Sequence, residues 1–256
     1  MDNAQILVLI PARYHSRRFP GKPLADIGGK SMIRRVYENC AAVGSSSWKS
    51  VVVTDHPEIE EHVKGFAGEV VRVDEDVESG TERIAKAYES YYSQTNWDLI
   101  INVQGDEPLL AREELSRLAS FHLHNDFDLA TLVKPKSCRG ETGEEHRDPH
   151  RVKAVWTQSN GECHYFSRSA VPFFKDPGGS QAAWQWYLHI GVYSYLPETL
   201  VRFANLPQSA LEVAEGLEQL RAVEAGMRIG AVATDVELLG VDVPSDIDKV
   251  KGALGE

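Results

Sequence analysis

Five consecutive apolar residues, Ile6-Leu7-Val8-Leu9-Ile10, run straight into Pro11 and the basic segment that completes IPARYHSRRFPGKPL, Ile10 to Leu24. A run apolar at every position reads as a strand covered on both faces, the setting of a parallel sheet flanked by helices. Proline cannot donate to a central ladder, so the chain is expected to leave the sheet at Pro11. Arg13, Arg17, Arg18 and Lys22 follow closely, in a chain whose 38 acidic and 27 basic residues give a net charge of -11. Such local basicity points to an anion held at the carboxyl end of the strand, where open α/β sheets bind ligands. A solvated basic turn is the plainer reading of the same loop. Neither GxxxxGK[ST] nor GxGxxG stands at this turn, so cationic side chains rather than glycine amides must carry any phosphate binding.

The rest of the first half alternates strand and helix. Ser31 can cap a helix from Met32 to Val43, Ser50 to Thr54 is a β-branched strand, His56-Pro57 starts a helix, and Glu69 to Val73 is a strand. A helix is expected from Ser79 to about Tyr92, a strand over Leu99 to Val103, a helix over Arg112 to Leu123 and a strand over Leu129 to Val133. The polar stretch from Pro135 to Pro149 lacks periodicity and reads as an exposed, mobile loop. From Arg151 the pattern turns antiparallel: Val152 to Thr157 and Glu162 to Phe166 flank Asn160-Gly161, a hairpin-turn signal. Trp184 to Tyr195 is a strand, Pro197 to Asn205 a short helix, Leu211 to Ala225 one longer helix, Arg228 to Thr234 a strand, and Ser245 to Leu254 a last helix. The expectation is one domain: a three-layer α/β/α fold with a mixed, mostly parallel sheet and a small β-rich excursion around 150–197.

A chain of 256 residues, 42% hydrophobic and 25% charged, can bury one sizeable core. Its acidic balance argues against nucleic-acid or anionic-membrane partners, which need an extended basic surface. Cys40, Cys138 and Cys163 are odd in number and have no metal-like spacing, so packed thiols in a reducing cytoplasm are expected. The start MDNAQ lacks a basic region followed by a cleavable apolar core, and no apolar run approaches the ~20 residues that span a bilayer.

Further stretches could carry chemistry. Asp98 to Pro108, DLIINVQGDEP, ends a buried strand with Gln104, Asp106 and Glu107 at its carboxyl end. A carboxylate there, beside a cationic loop, suits Mg²⁺, which takes one or two carboxylates together with phosphate and water oxygens. Asp106 is the candidate, a turn aspartate the alternative. Ser79-Gly80-Thr81-Glu82-Arg83 opens a helix with backbone amides and an arginine, an anion site or a plain capping motif. Arg168 follows the strand-like Tyr165-Phe166-Ser167; taken alone it reads as a surface charge, though its fork of donors suits a carboxylate. His189 and Tyr193 share one strand face, as core-edge residues or as pocket residues. Asp242, after Gly240-Val241, is a second aspartate following an apolar strand, which makes a joint metal site more credible than either aspartate alone.

These stretches together resemble the 3-deoxy-manno-octulosonate (Kdo) cytidylyltransferase family, also called CMP-Kdo synthetases. IPARxxSxRxPGKPL is met at every fixed position, and SGTER, NVQGDEP, YFSR, HxGxY, LEQLR and GVD follow in order up to Asp242. The resemblance implies a nucleotidyltransferase fold and transfer of CMP from CTP to a Kdo-type acid sugar, activating it for lipopolysaccharide synthesis. It implies Mg²⁺ on Asp106 and Asp242, and CTP on Arg13, Ser16, Lys22, Ser79, Gly80 and Arg83. The sugar is assigned to Gln104, Arg168, His189, Tyr193, Glu218 and Gln219, with Arg168 on its carboxylate. Arg13, Lys22, Asp106 and Asp242 are the implied catalytic set, in a cytoplasmic homodimer. His15 occupies a variable position, Cys138 to Pro149 matches no motif, and Val243-Pro244 replaces the more usual Thr-Pro or Thr-Glu. An 8-amino-Kdo or sialate-type acceptor, a UTP-using pyrophosphorylase, a glycosyltransferase and a non-catalytic nucleotide-sugar binding module are the alternatives.

Overall fold

The computed structural model describes residues 4–15, 19–41, 47–138, 144–175, 184–236, 239–241 and 243–255. Strand β1 (Ile6–Ala12) is buried at every residue and lies between β4 (Trp48–Thr54) and β6 (Leu99–Asn102), parallel to both. Its side chains alternate. Leu7 and Leu9 join one core with Ile84 and Ala87 of helix α3 (Gly80–Ala87); Ile6, Val8 and Ile10 join another with Ile33 and Val36 of α1 (Met32–Ala41) and Ile59 of α2 (Pro57–Gly65). Two cores on opposite faces of one sheet make the three layers anticipated from the all-apolar strand.

Pro11 does not end β1. The strand runs on to Ala12, with Pro11 opposite Val53 and Ala12 opposite Thr54 of β4. Pairing with β6 stops earlier, at Leu9 opposite Asn102, and the Pro11 carbonyl faces Gly105 beyond that point. Because a residue's N–H and C=O point to the same side of a strand, the donor that proline lacks would face a neighbour already departed.

Among the described residues the sheet has nine strands in the order β5-β4-β1-β6-β10-β7-β11-β9-β8. Here β5 is Val70–Arg72, β7 Leu129–Ser137, β8 Lys153–Thr157, β9 Glu162–Ser167, β10 Gln185–Tyr195 and β11 Ile229–Ala233. Strand β10 is antiparallel to both β6 and β7, and its early residues Tyr187 and Leu188 also pair with β8. The excursion is therefore built into the main sheet, its far end curling back onto β10. Thr131 fills the irregularity in β10 after Ile190, its Oγ1 lying 3.0 Å from the Ile190 carbonyl and 2.8 Å from that of Val192.

Two stretches depart from the sequence reading. Strand β7 continues through Pro135 to Ser137, because Gln185–Tyr187 of β10 pair with it; Lys136 and His146 are buried where an exposed loop was expected, and 139–143 lie outside the described residues. The expected helix Leu211–Ala225 is two helices, α6 (Ala210–Glu215) and α7 (Leu220–Glu224), after α5 (Pro197–Ala204) and helix α4 (Arg112–Leu123) earlier in the chain. Gly216, at φ +60°, takes the left-handed C-cap conformation and donates 2.7 Å to the Glu212 carbonyl. That is the common glycine stop signal, read by periodicity alone as an interior position. A final helix α8 (Asp246–Leu254) packs Val250 with Val241, Ile27 and Met32, beside the small hairpin of β2 (Asp26–Ile27) and β3 (Lys30–Ser31).

Candidate active site

The cleft forms where β1 and β6 end side by side. A short 3-10 turn, Lys22–Leu24, follows Gly21, whose φ of +68° reverses the basic loop, and it turns Lys22 inward. Lys22 Nζ donates 2.6 Å to Asp106 Oδ2 and 2.8 Å to the Val241 carbonyl. Asp106 is carried by the turn after β6, whose backbone must pass close to β1: a Cβ on Gly105 would stand 2.7 Å from the Pro11 carbonyl oxygen. The Val241 amide donates 3.1 Å to the Asp106 carbonyl, so the segment leading to Asp242 is tied to the same spot.

A cavity of about 300 Å³ opens here, lined by Arg13, His15, Lys22, Gly80, Gln104 and Asp106. A second, of about 550 Å³, shares Asp106 and extends past His189, Arg151 and Lys249. Arg13 donates 3.3 Å to the Glu78 carbonyl, spanning the cleft to the start of α3. Ser79 caps α3, accepting from the Glu82 amide at 3.0 Å, while Glu82 reaches the Glu78 amide at 2.8 Å in place of the Ser79 amide that a full capping box would use.

Arg83 is tied to the scaffold, with its Nε unpaired among the described residues. Its guanidinium is buried, donates to the Val73 carbonyl and pairs with Asp55 at 3.2 Å; burial lowers its pKa, against the pull of Asp55. Asp55 also accepts from the Tyr14 amide at 3.3 Å, so Arg83 steadies the basic loop from behind. Ser16 and Asp242 lie outside the described residues.

A second group assembles around the α6–α7 turn. Arg168 donates from Nε to the Glu215 carbonyl at 2.6 Å, and from its terminal nitrogens to Gly216 at 3.2 Å and Pro149 at 3.0 Å. Among the described residues these take three of its five N–H donors and leave one on each terminal nitrogen. The Arg168 carbonyl is held by the buried Lys153 ammonium, whose pKa burial lowers. The turn is clamped from its far side by a bidentate pair: Arg221 reaches Glu212 at 2.8 and 2.5 Å, and despite burial it holds that carboxyl below the usual range.

Glu218 and Gln219 sit in this turn rather than on a helix, and their tips are only partly satisfied. Glu218 Oε2 accepts from Thr81 Oγ1 at 2.6 Å, while Glu218 Oε1 and Gln219 Nε2 are buried without a partner among the described residues. Tyr193 stands near Glu218, and burial first, with neighbouring charge second, raises its pKa well above the ordinary value. His189 contacts Tyr193 ring to ring at 5.4 Å and Thr131 Oγ1 at 3.2 Å; burial pushes its imidazole down to about 3, so it is neutral. Thr81 and Asn102, which link the two groups, fall inside the quoted motifs, yet neither has a spacing signal that would single it out.

The cytidylyltransferase family model matches residues 7–229. The chain belongs to that family. Among its relatives, the 3-deoxy-manno-octulosonate cytidylyltransferase of Parabacteroides distasonis is 41% identical over 245 residues, covering 94% of each chain. That of Geobacter sulfurreducens is 41% identical over 252 residues, covering 96% of this chain and 97% of its own. The solved CMP:2-keto-3-deoxy-manno-octonic acid synthetase complexed with CTP superposes at a TM-score of 0.86 with 33% identity, over 98% of this chain and 99% of that one. A 4-diphosphocytidyl-2C-methyl-D-erythritol synthase from Anaerococcus prevotii, 11% identical at a TM-score of 0.62, shares the cytidylyltransferase fold alone. The motif order read from Ile10 to Asp242 thus marks family membership, and the three-layer architecture is the family's. Among the described residues no helix is long and apolar enough to cross a membrane.

Proposed function

We propose that this cytidylyltransferase joins CMP from CTP to 3-deoxy-manno-octulosonate with release of pyrophosphate, supplying an activated sugar for lipopolysaccharide. The observation that carries the reading is the meeting of Lys22 and Asp106 at the mouth of the cleft between β1 and α3. A cation and a carboxylate held together there are what a triphosphate and a divalent metal need. The sugar's anomeric oxygen forms a bond to the α-phosphorus as the bond to the β-phosphate oxygen breaks; the hydroxyl proton leaves to solvent and pyrophosphate departs. Reactions of this kind depend mainly on positioning and charge neutralisation. Lys22 and Arg13 would hold the phosphates and offset charge on the leaving group, with Ser16, Ser79 and the α3 amides at Gly80 beside the nucleotide. Gln104, Arg168, His189, Tyr193, Glu218 and Gln219 would take the sugar, Arg168 through the donors left on its terminal nitrogens.

Mg²⁺ belongs to the same proposal. Asp106 suits a hard cation, being part-exposed at the cleft with only Oδ2 engaged among the described residues, and Asp242 follows in sequence on Val241, whose amide bonds the Asp106 backbone. When bound, the metal would neutralise phosphate charge and make a nearby hydroxyl more acidic. A homodimer formed through the 150–197 excursion is a further part of the proposal, tested by analytical ultracentrifugation. The reaction itself is tested by pyrophosphate release with CTP or UTP against Kdo, its 8-amino analogue and sialate. Turnover with CTP and Kdo is expected; preference for another acceptor or for UTP would overturn the assignment.

A further inference from the structure

Thr81 is the residue after Gly80, which lines the nucleotide cleft, and it is 3% exposed. Thr81 Oγ1 lies 2.6 Å from Glu218 Oε2 and 3.5 Å from Asn102 Nδ2. The Nδ2 group of Asn102 can only donate, the Tyr195 hydroxyl that also meets Thr81 can donate, and an ionised carboxylate can only accept, so the single Thr81 proton goes to Glu218. Asn102, fully buried at the end of β6, fixes the hydroxyl from one side while the carboxylate receives it on the other.

The consequence lies at the tips left over. With Oε2 held by Thr81, Glu218 Oε1 is a buried acceptor and Gln219 Nε2, on the next residue, a buried donor, both without a partner among the described residues. A buried polar atom left unpaired costs about 1–3 kcal/mol, so a ligand that reached both would recover that cost. An acceptor and a donor on adjacent residues are what one sugar hydroxyl satisfies, donating to the first and accepting from the second.

We propose that Thr81 is a positioning residue for the acid sugar: its hydroxyl, held by Asn102, orients the Glu218 carboxylate, and so ties the start of the helix at the nucleotide cleft to the turn that receives the sugar. The inference rests on the acid-sugar reading above. Thr81 acts through Glu218, and its removal is felt by the sugar and not by the nucleotide. The α6–α7 turn stays in place without it, clamped by Glu212–Arg221 and by Arg168; what is lost is the carboxylate's orientation.

The test is steady-state pyrophosphate release by the full chain carrying Thr81→Val, Thr81→Ala or Thr81→Ser, with thermal melting in parallel. Losing a hydrogen bond to a charged group should raise the acid-sugar KM roughly tenfold or more in the valine and alanine variants, with the CTP KM within about twofold. Serine, which restores the hydroxyl, should return the sugar KM to within about threefold of the parent, a rescue that a packing role for the methyl group would not give. In a Glu218→Ala background, Thr81→Val should change the sugar KM by less than about twofold, because the partner through which it acts is gone. Equal rises in both KM values, an unchanged sugar KM, or full additivity with Glu218→Ala would overturn the proposal. Failure of the parent protein to use any acid sugar would instead defeat the reaction assigned above, and the inference with it; turnover by the parent with silent variants defeats the Thr81 assignment alone.

Discussion

Lys22 and Asp106, 84 positions apart in the chain, meet at 2.6 Å, and the same ammonium reaches the Val241 carbonyl at 2.8 Å. One side chain thereby fastens three segments, the loop after β1, the turn after β6 and the approach to α8. Each arrives by a different route: a 3-10 turn, the close passage of Gly105 by Pro11, and the docking of Val250 beside Val241.

Asp106→Asn keeps the size of the side chain and removes its charge. Turnover should fall by at least roughly a hundredfold, as for loss of a group that stabilises transition-state charge. The melting temperature should change little, because a part-exposed ion pair is worth about 1 kcal/mol or less. Pyrophosphate release at saturating Mg²⁺ checks this, and near-normal release would remove Asp106 from the metal site.

Lys22→Ala should raise the CTP KM and also lower kcat. The proposed cation meets both the bound triphosphate and the charge that grows on the leaving pyrophosphate, so both ground and transition state lose it. Unchanged kinetics with CTP would make the Lys22–Asp106 contact purely architectural.

Arg168→Lys retains the charge but not the planar fork, and a lysine cannot reach Glu215, Gly216 and Pro149 together. The acid-sugar KM should rise roughly ten- to a hundredfold with the CTP KM little changed, and stability should fall by about 1–3 kcal/mol. Weakened CTP binding with the sugar spared would move Arg168 to the nucleotide side.

Acid should destabilise the fold through the buried His122 foremost, with His189, part-exposed at the cavity wall, contributing less. His122 lies 2.8 Å from Ser194 Oγ and 2.9 Å from the Phe127 carbonyl, and burial lowers its pKa; burial pushes His189 to about 3. Below the ordinary imidazole value of 6.5 the unfolded chain binds protons that the folded chain refuses. Stability is therefore full above that value and lost as pH falls towards the folded pKa, at no more than about 1.4 kcal/mol per pH unit for each ring. Urea titrations from about pH 7.5 to about pH 5 should show the loss, and His122→Gln should remove its share. A slope unchanged by that substitution would assign the acid sensitivity to other groups.

The local chemistry of this protein is written in its sequence. An all-apolar run specifies β1 because a strand covered on both faces tolerates no polar residue, and Asn160-Gly161 specifies its hairpin because Gly161, at φ +74°, adopts a conformation that side chains resist. The motifs also name residues that the fold gathers at the cleft, Arg13, Lys22, Gly80, Gln104 and Asp106. Tertiary structure decided what no local pattern carries. Pro11 stays in the sheet because its missing donor faces a side where β6 has already ended. Gly216 divides a periodic stretch into two helices, and that break brings Glu218 to Thr81. Arg83, expected at the nucleotide, is buried with its guanidinium on Val73 and Asp55 and with Nε unpaired among the described residues. Periodicity reports which face of an element is apolar; which polar atoms are satisfied, and which are left for a ligand, depends on partners that only the folded chain brings within hydrogen-bond reach.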